Sequence, residues 1–379
     1  MSNWEEYWWD NITGPQQVTR NVADALLDNR AVILKVPSDL PWRHTMRRSV
    51  EALIKERHNT MDIGIRFIDA VDQKIGDADP GRYLLEQCAL REVQNGYRSR
   101  SGQTLQNYLI KQEVLKNLII WVKGLTETQA ERWIKFCMDY KSPDLNHGLF
   151  VIECTKYPSG LDTGDLAEVC FADHVRQYDL QLFNSILLDN QITYNDDWKR
   201  YIAALASRLC ENDAEVSELY IRLCDFKREE PIIGLEKVLE CGEFERRGAD
   251  AGSKHILAIC RNQDIEELER RIWASQLQIL FPIIEMKRTE IVTLLHDDIE
   301  NCLSSHNVTQ FGEAILDPVD VEFGTLVYMM AKVDDNGSRL LDVSDRALKN
   351  KIHFLRDCRN NLAHGTACRV SQVKELLED

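Results

Sequence analysis

Ala31-Val32-Ile33-Leu34-Lys35-Val36, closed by Pro37, is the stretch on which the fold turns. A short run rich in β-branched side chains that stops at a proline reads as a strand, because branched side chains suit the pleat and proline cannot extend the ladder. Such a run, apolar at successive positions, fits a strand buried on both faces. Outward from it the pattern repeats. A helix is expected from about Trp42 to Arg57, then a second strand over 61–69 carrying Ile63, Ile65, Phe67 and Ile68, then a helix over 81–93. Leu118-Ile119-Ile120-Trp121-Val122 is a third strand, closed by Lys123-Gly124. Thr126 caps a helix reaching about Tyr140, Leu149-Phe150-Val151-Ile152 forms a fourth strand, and 168–174 a fifth. Strands alternating with helices of this length predict an α/β domain with a parallel sheet covered on both faces.

Beyond Tyr178 the strand signals stop. Helices are expected over 179–188, 198–209, 214–223 and 231–240, followed by a looser stretch, 242–253, whose Gly248 and Gly252 suggest a hinge. A helical stripe then runs from Ile265 to about Leu303 through Trp273, Leu277, Leu280, Ile284, Ile291 and Leu295, with Pro282 expected to kink or split it. Helices over 322–330 and 345–364 flank a turn at Asp334-Asp335-Asn336-Gly337. The expected fold class is therefore α/β plus all-α: a parallel P-loop-like sheet, a helical lid and a C-terminal helical bundle. The corresponding domains are 1–177, 178–252 and 253–379.

Composition narrows the setting. Hydrophobic residues make up 44% and charged residues 28% of 379, which is ordinary for a globular chain. No apolar run approaches the roughly eighteen residues of a membrane span, so no membrane association is expected. The start, Met1-Ser2-Asn3-Trp4-Glu5-Glu6, is acidic and aromatic, the opposite of a signal peptide. Eleven cysteines without a C-x-x-C pair point to reduced thiols and a cytoplasmic location. Cys302, His306 and Cys358 have no ligand spacing, and neither a metal nor a cofactor is expected.

The layout over about 1–240 resembles the P-loop NTPases, specifically the AAA-like STAND group. In that family the first strand runs into G-x-x-x-x-G-K-[ST], whose backbone N–H groups and lysine cradle phosphates. Here it runs into Pro37-Ser38-Asp39-Leu40-Pro41-Trp42-Arg43-His44, without glycine or lysine, with two prolines that lack N–H groups and an aspartate that repels phosphate. Glu153, at the end of the fourth strand, could imitate a catalytic acid, but no aspartate precedes it to hold magnesium. The chain is therefore not expected to be an ATPase, and the sheet reads as a scaffold. Gly14-Pro15 reads as a turn, with an adenine-side hinge as the alternative. Trp4, Tyr7, Trp8 and Trp9 read as packing on the nearest core, with stacking on a base or partner as the alternative.

The second informative stretch is Arg359-Asn360-Asn361-Leu362-Ala363-His364, followed by Gly365. Leu348, Ile352, Leu355 and Leu362 mark one helical face, and Arg359 falls on it, so its guanidinium must be paired or line a polar cavity. The structural alternative is an interhelical ion pair to Glu285 or Glu322. Gly365 is a helix stop that places His364 at the helix end. From Asp345 to Lys374 the charge is seven basic minus two acidic residues, +5, in a chain of net charge −16, which makes an island where a polyanion could dock. The R-N-x-x-x-H spacing resembles the signature of HEPN-domain ribonucleases over about the last hundred residues. The resemblance implies a metal-independent endoribonuclease in which the RNA 2′-hydroxyl attacks its own phosphodiester. His364 would move protons, Arg359 would stabilise the phosphorane and Asn360 would orient the phosphate. Arg356, Arg369 and Lys351 would bind RNA, and two protomers would build the site. It also implies a place in a prokaryotic antiviral defence system. The alternative is a non-catalytic interaction or regulatory subunit that partners a separately encoded effector.

Overall fold

The computed structural model describes all residues except 1–2, 58–62, 74, 99–101, 142–146, 157–163, 246, 250–252, 306–313, 316, 335–336 and 379. It divides into two compact units, residues 1–183 with 212–215, and residues 184–211 with 216–379. No helix among the described residues is long and apolar enough to cross a membrane.

In the first unit, α1 (Trp4–Asn11) and α2 (Thr13–Leu27) precede β1 (Ala31–Lys35) and α3 (Arg43–Arg57). Then come β2 (Gly64–Asp69), α4 (Pro80–Cys88), α5 (Arg91–Gly96), α6 (Leu105–Lys111), β3 (Leu118–Lys123) and α7 (Glu127–Asp139). The unit closes with β4 (Leu149–Cys154), β5 (Leu166–Cys170), α8 (Phe171–His174) and the start of α9 (Gln177–Asp189). The sheet order is β2-β3-β4-β1-β5 and every pairing is parallel. β1 thus lies inside the sheet between β4 and β5, as expected of a P-loop-like layout. Its side chains from Ala31 to Leu34 are all buried, which explains the unbroken apolar run.

Strand alternation sorts the core into two layers. Ile33, Ile120, Val122, Phe150 and Ile152 pack with Leu84, Trp133, Ile134 and Phe136 of α4 and α7. The intervening residues, Val32, Leu34, Trp121, Val151 and Glu153, point to the opposite face, where α2 and α3 pack against each other. One of them is a carboxylate. The N-terminal aromatic cluster packs inward: Trp8 and Trp9 are fully buried, and Trp4 and Trp8 meet Phe183 edge-on at 6.0 and 5.4 Å.

The differences from expectation have local causes. The fifth strand stops at Cys170, and Phe171–His174 turns into α8. The helix expected over 81–93 breaks at Ala89 and Leu90, both extended, into α4 and α5. Gly14-Pro15 is not a turn but the first turn of α2. The Gly14 N–H donates to Asp179 Oδ1 at 3.2 Å, and Asp179 Oδ2 accepts from the Arg176 N–H at 2.8 Å, so one buried carboxylate caps two helix starts.

The second unit contains α10 (Asp196–Cys210), α11 (Ala214–Leu223), α12 (Pro231–Glu240), α13 (Ile256–Arg261) and α14 (Ile265–Leu294). It continues through α15 (His296–Ser305), a 3-10 turn at Pro318–Asp320, α16 (Phe323–Ala331), α17 (Arg346–Ala363) and α18 (Val370–Glu378). The first residues of α11 group with the first unit. α14 is the axis of the helical unit: α10, α13, α17 and α18 all pack on it. Pro282 does not split it. Both Pro282 and Gln278, whose carbonyl loses its donor, lie on the exposed side of the helix; the helix instead ends at Leu295. The expected hinge stretch leads into α13, which periodicity did not announce, and its Gly252 lies outside the described residues, as do Asp335 and Asn336 of the expected turn. The rest of that turn is present: the Gly337 N–H donates to the Asp334 carbonyl at 3.0 Å.

Arg271 is buried on α14 and is held by Glu267, by Glu211 and by the Leu209 and Lys254 carbonyls. Hydrogen bonds from Arg270 and Arg271 hold the Glu267 carboxyl down at about 2. A carboxyl with a lowered folded pKa contributes stability above its unfolded value and loses it as pH falls. We expect the second unit to lose stability between pH 4.5 and about 2, and Glu267→Gln to flatten that part of the urea-denaturation profile. In the first unit, a Cβ on Gly14 would sit 2.6 Å from Asp179 Oδ2 and 2.7 Å from the His174 carbonyl oxygen. Gly14→Ala should lower unfolding free energy by about 1–3 kcal/mol in the same assay.

Candidate functional site

Residues 36–42 connect β1 to α3, the position a phosphate loop would take. The loop presents carbonyl oxygens inward instead of N–H groups. Arg43 Nη2 donates to the Pro37 and Ser38 carbonyls, each at 3.1 Å, so the loop cradles a cation. The same guanidinium reaches Glu153 Oε2 through Nη1 at 2.7 Å. One helical turn on, Arg47 donates to Glu153 Oε1 through Nε at 2.9 Å and Nη2 at 2.6 Å. Trp121 Nε1 adds a third donor to that oxygen at 2.5 Å. Glu153, 2% exposed, therefore spends both oxygens on the chain itself. The Arg47 guanidinium also lies over the rings of Phe67 and Trp121, at 5.3 and 5.9 Å.

The start of α3 is also spoken for. A helix N-terminus favours an anion because its first N–H groups lack partners. Here the Trp42 N–H donates to Glu215 Oε2 at 2.9 Å, with Trp42 held at φ +40. Glu215 belongs to the 212–215 segment that groups with this unit. Two chain carboxylates thus engage the Trp42 N–H and the Arg43 and Arg47 guanidiniums, donors that a bound phosphate would need. Glu153 is recognisable in the sequence as a strand-end acid, whereas its partners Arg43 and Arg47 are not among the expected site residues. Their four-residue spacing on α3 was a usable signal; Glu215, distant in sequence, offered none.

Beside this cluster a cavity of about 630 Å³ opens at the C-terminal ends of β1, β4 and β5, lined by Lys35, Pro37, Thr155, Lys156, Cys170 and Asn212 among others. Its place matches where open α/β sheets take ligands, outside the carboxyl ends of their strands. Lys35 is not available there, since its Nζ is held by Glu168 at 2.5 Å.

The R-N-x-x-x-H stretch ends α17. The helix stops as Gly365 implied: Gly365 takes φ +81, the Thr366 N–H donates to the Asn361 carbonyl at 2.9 Å and the Gly365 N–H to that of Leu362 at 3.4 Å. This pair of bonds is a Schellman cap, and Trp273 Nε1 adds a bond to the Leu362 carbonyl at 2.7 Å. Ile352, Leu355, Cys358 and Leu362 are buried, and Arg359 lies on the flank of that stripe. Its Nη2 pairs with Glu322 Oε2 at 3.4 Å while Nε is shut away from water without a partner. Glu285, the other expected partner, holds Arg288 instead, at 2.8 Å.

His364 is the exposed C-cap residue. At about 100° per residue it lies roughly 140° around the helix from Arg359, so one chain does not aim both at one phosphate. The spacing of four puts Arg356, Asn360 and His364 on a shared side. Arg356 there is bound to Asp357 through Nε at 3.0 Å and Nη2 at 2.7 Å. Arg369 is exposed and Lys351 half-buried. His306 lies outside the described residues. Among the described residues, His296, Asp297 and Glu300 approach one another within metal-ligand reach, all of them exposed.

No protein-family profile matches the chain. No curated protein is significantly similar to it in sequence. Among solved structures it is similar to the Aeropyrum pernix ORC1 protein, solved in complex with DNA, at 13% identity and a TM-score of 0.35, over 94% of this chain and 85% of that one. It is also similar to the ORC2 protein of the same organism in its ADPNP–ADP complexes, at 9% identity and a TM-score of 0.32, over 92% and 93% of the two chains. Likeness at this level says nothing about ligand or partner.

The two ion-pair sites should respond differently to truncation. Glu153→Ala leaves the buried Arg47 and half-buried Arg43 guanidiniums without their shared carboxylate and should lower unfolding free energy by about 3–5 kcal/mol. Arg359→Ala removes a long, partly exposed pair and should change it by no more than about 1 kcal/mol. Parallel urea titrations of the two variants check both values.

Proposed function

We propose that this chain is a non-catalytic interaction subunit whose α/β unit keeps a nucleotide-type scaffold but uses its phosphate region as an internal ion-pair clamp. The observation that supports this reading most is Glu153, fully engaged by Arg43, Arg47 and Trp121 where an active site would need a free carboxylate. A general base must reach a substrate proton, and a metal ligand needs a free lone pair facing its ion. Glu153 offers neither without breaking four hydrogen bonds. The loop of carbonyls around Arg43 opposes a triphosphate in the same way. Such a subunit would act by holding a partner, either a second protomer or a separately encoded effector. The chain's net charge of −16 favours a basic partner surface.

A second reading keeps the ribonuclease expectation, and the exposure of His364, with half-buried Asn360 and Arg356 on the same side of the helix, favours it. On this reading Arg359 or its equivalent comes from a second protomer, and RNA follows the basic face of α17. Because the resemblance concerns a reaction without metal, its assay is run with chelator present.

Calorimetry with ATP and magnesium should show no binding tighter than millimolar. Micromolar binding with phosphate release would overturn the scaffold reading. Incubation of single-stranded RNA with the chain and chelator should leave the RNA intact. Cleavage that disappears in both His364→Ala and Arg359→Ala, with the fold retained, would establish the ribonuclease reading instead.

A further inference from the structure

Cys358 and Cys368 are buried, at 0% and 3% exposure, on the two sides of the joint between α17 and α18. Cys368 Sγ lies 4.0 Å from the Cys358 carbonyl oxygen, which sets the two cysteines side by side. The chain between them is the exposed turn from Ala363 to Thr366 together with the Arg359–Leu362 end of the helix. The position of Cys368 is imposed from outside that turn. Its N–H donates to Gln276 Oε1 at 2.6 Å, and Gln276 Nε2 donates to its carbonyl at 2.9 Å. A two-pronged amide on α14 therefore holds the Cys368 backbone in place beside Cys358.

We propose that Cys358 and Cys368 form an oxidative modification site, a dithiol that a small-molecule disulfide converts into a disulfide tying the end of α17 to the start of α18. The step exchanges disulfides and needs no other oxidant. The Cys368 thiolate attacks one sulfur of the small disulfide, whose S–S bond breaks and whose other half leaves as a thiolate. Cys358 then gives up its proton and attacks the Cys368 sulfur of the mixed disulfide, expelling the second half. Two protein thiols are oxidised by two electrons, and one disulfide is reduced to two thiols.

The order of attack follows from the contact. Accepting the Cys358 S–H holds the Cys368 thiol below its ordinary range, while donating that bond and being buried push Cys358 up. Burial pushes the thiols of Cys88, Cys137, Cys154, Cys224, Cys260 and Cys302 up. Cys368 thus differs from them in being the better nucleophile. Access comes through the turn, which is solvent-exposed on both sides of Gly365 and opens at lower cost than the helices it joins.

The test uses the full-length protein treated with oxidised glutathione and mapped by mass spectrometry without reduction. A cross-linked pair of peptides containing Cys358 and Cys368, lighter by two hydrogen atoms and reversed by dithiothreitol, is the expected result. Exposed Cys241 serves as the internal control for reagent access. The oxidised protein should exchange the amide hydrogens of 364–369 more slowly, by at least about tenfold, since the tie removes the opening motion. Cys358→Ser should trap glutathione on Cys368, whereas Cys368→Ser should leave Cys358 unmodified. Both cysteines remaining reduced while Cys241 is fully modified would overturn the proposal, as would either one pairing with a different cysteine. The mapping of the parent protein decides the matter even if a variant fails to fold.

Discussion

The carboxylate of Glu153 is the constraint around which the α/β unit is arranged. A charged group with 2% exposure at the end of a central strand is strongly unfavourable unless every lone pair is met. The unit meets them with two arginines one turn apart on α3 and an indole from the neighbouring strand β3. That requirement fixes the rotation of α3 over the sheet, the inward direction of Trp121, and the path of the loop whose carbonyls hold the rest of Arg43. One negative charge faces two positive ones, and the surplus is softened by the Pro37 and Ser38 carbonyls and by the faces of Phe67 and Trp121. The cluster links β4, β3, α3 and the edge strand β2 into one electrostatic unit.

The helical unit depends on a different device. α14 carries α10, α17 and α18, and polar side chains along it fix neighbouring segments by bonding their backbones. Trp273 bonds the Leu362 carbonyl, Gln276 brackets Cys368, Arg271 holds two carbonyls, and Arg288 holds those of Val319 and Val321. Such bonds satisfy chain ends that helices leave open, and an apolar stripe alone would not position them. The placement of His364 and of the turn beyond it comes from this arrangement.

Several features were legible along the chain because they rest on local physics. The five strands are short, largely apolar runs, and the sheet holds them near the expected positions. Gly365 ends α17 because a left-handed residue is needed there, and glycine takes that conformation without a side-chain clash. Thr126 and Gln129 form the capping box that begins α7. Arg359, between Leu355 and Leu362 in sequence, lies on the flank of the stripe rather than within it, and Glu322 is one of the two carboxylates expected to meet it. By contrast, α6, α13 and α18 are short helices whose residues carry too few turns for periodicity to announce them.

By itself the sequence determined the alternation of strands and helices, the absence of a glycine-lysine phosphate loop, and the helix end at Gly365. Each depends on residues a few positions apart, where backbone propensity and helical or pleated spacing act directly. Only the tertiary structure decided what fills the phosphate region. Arg47 and Glu153 are 106 positions apart, and Trp42 and Glu215 are 173. The order β2-β3-β4-β1-β5, which brings Glu153 beside β1, is equally invisible to local spacing. A buried charge selects its partner by distance in space and by exclusion of water, and neither exists until the chain has folded.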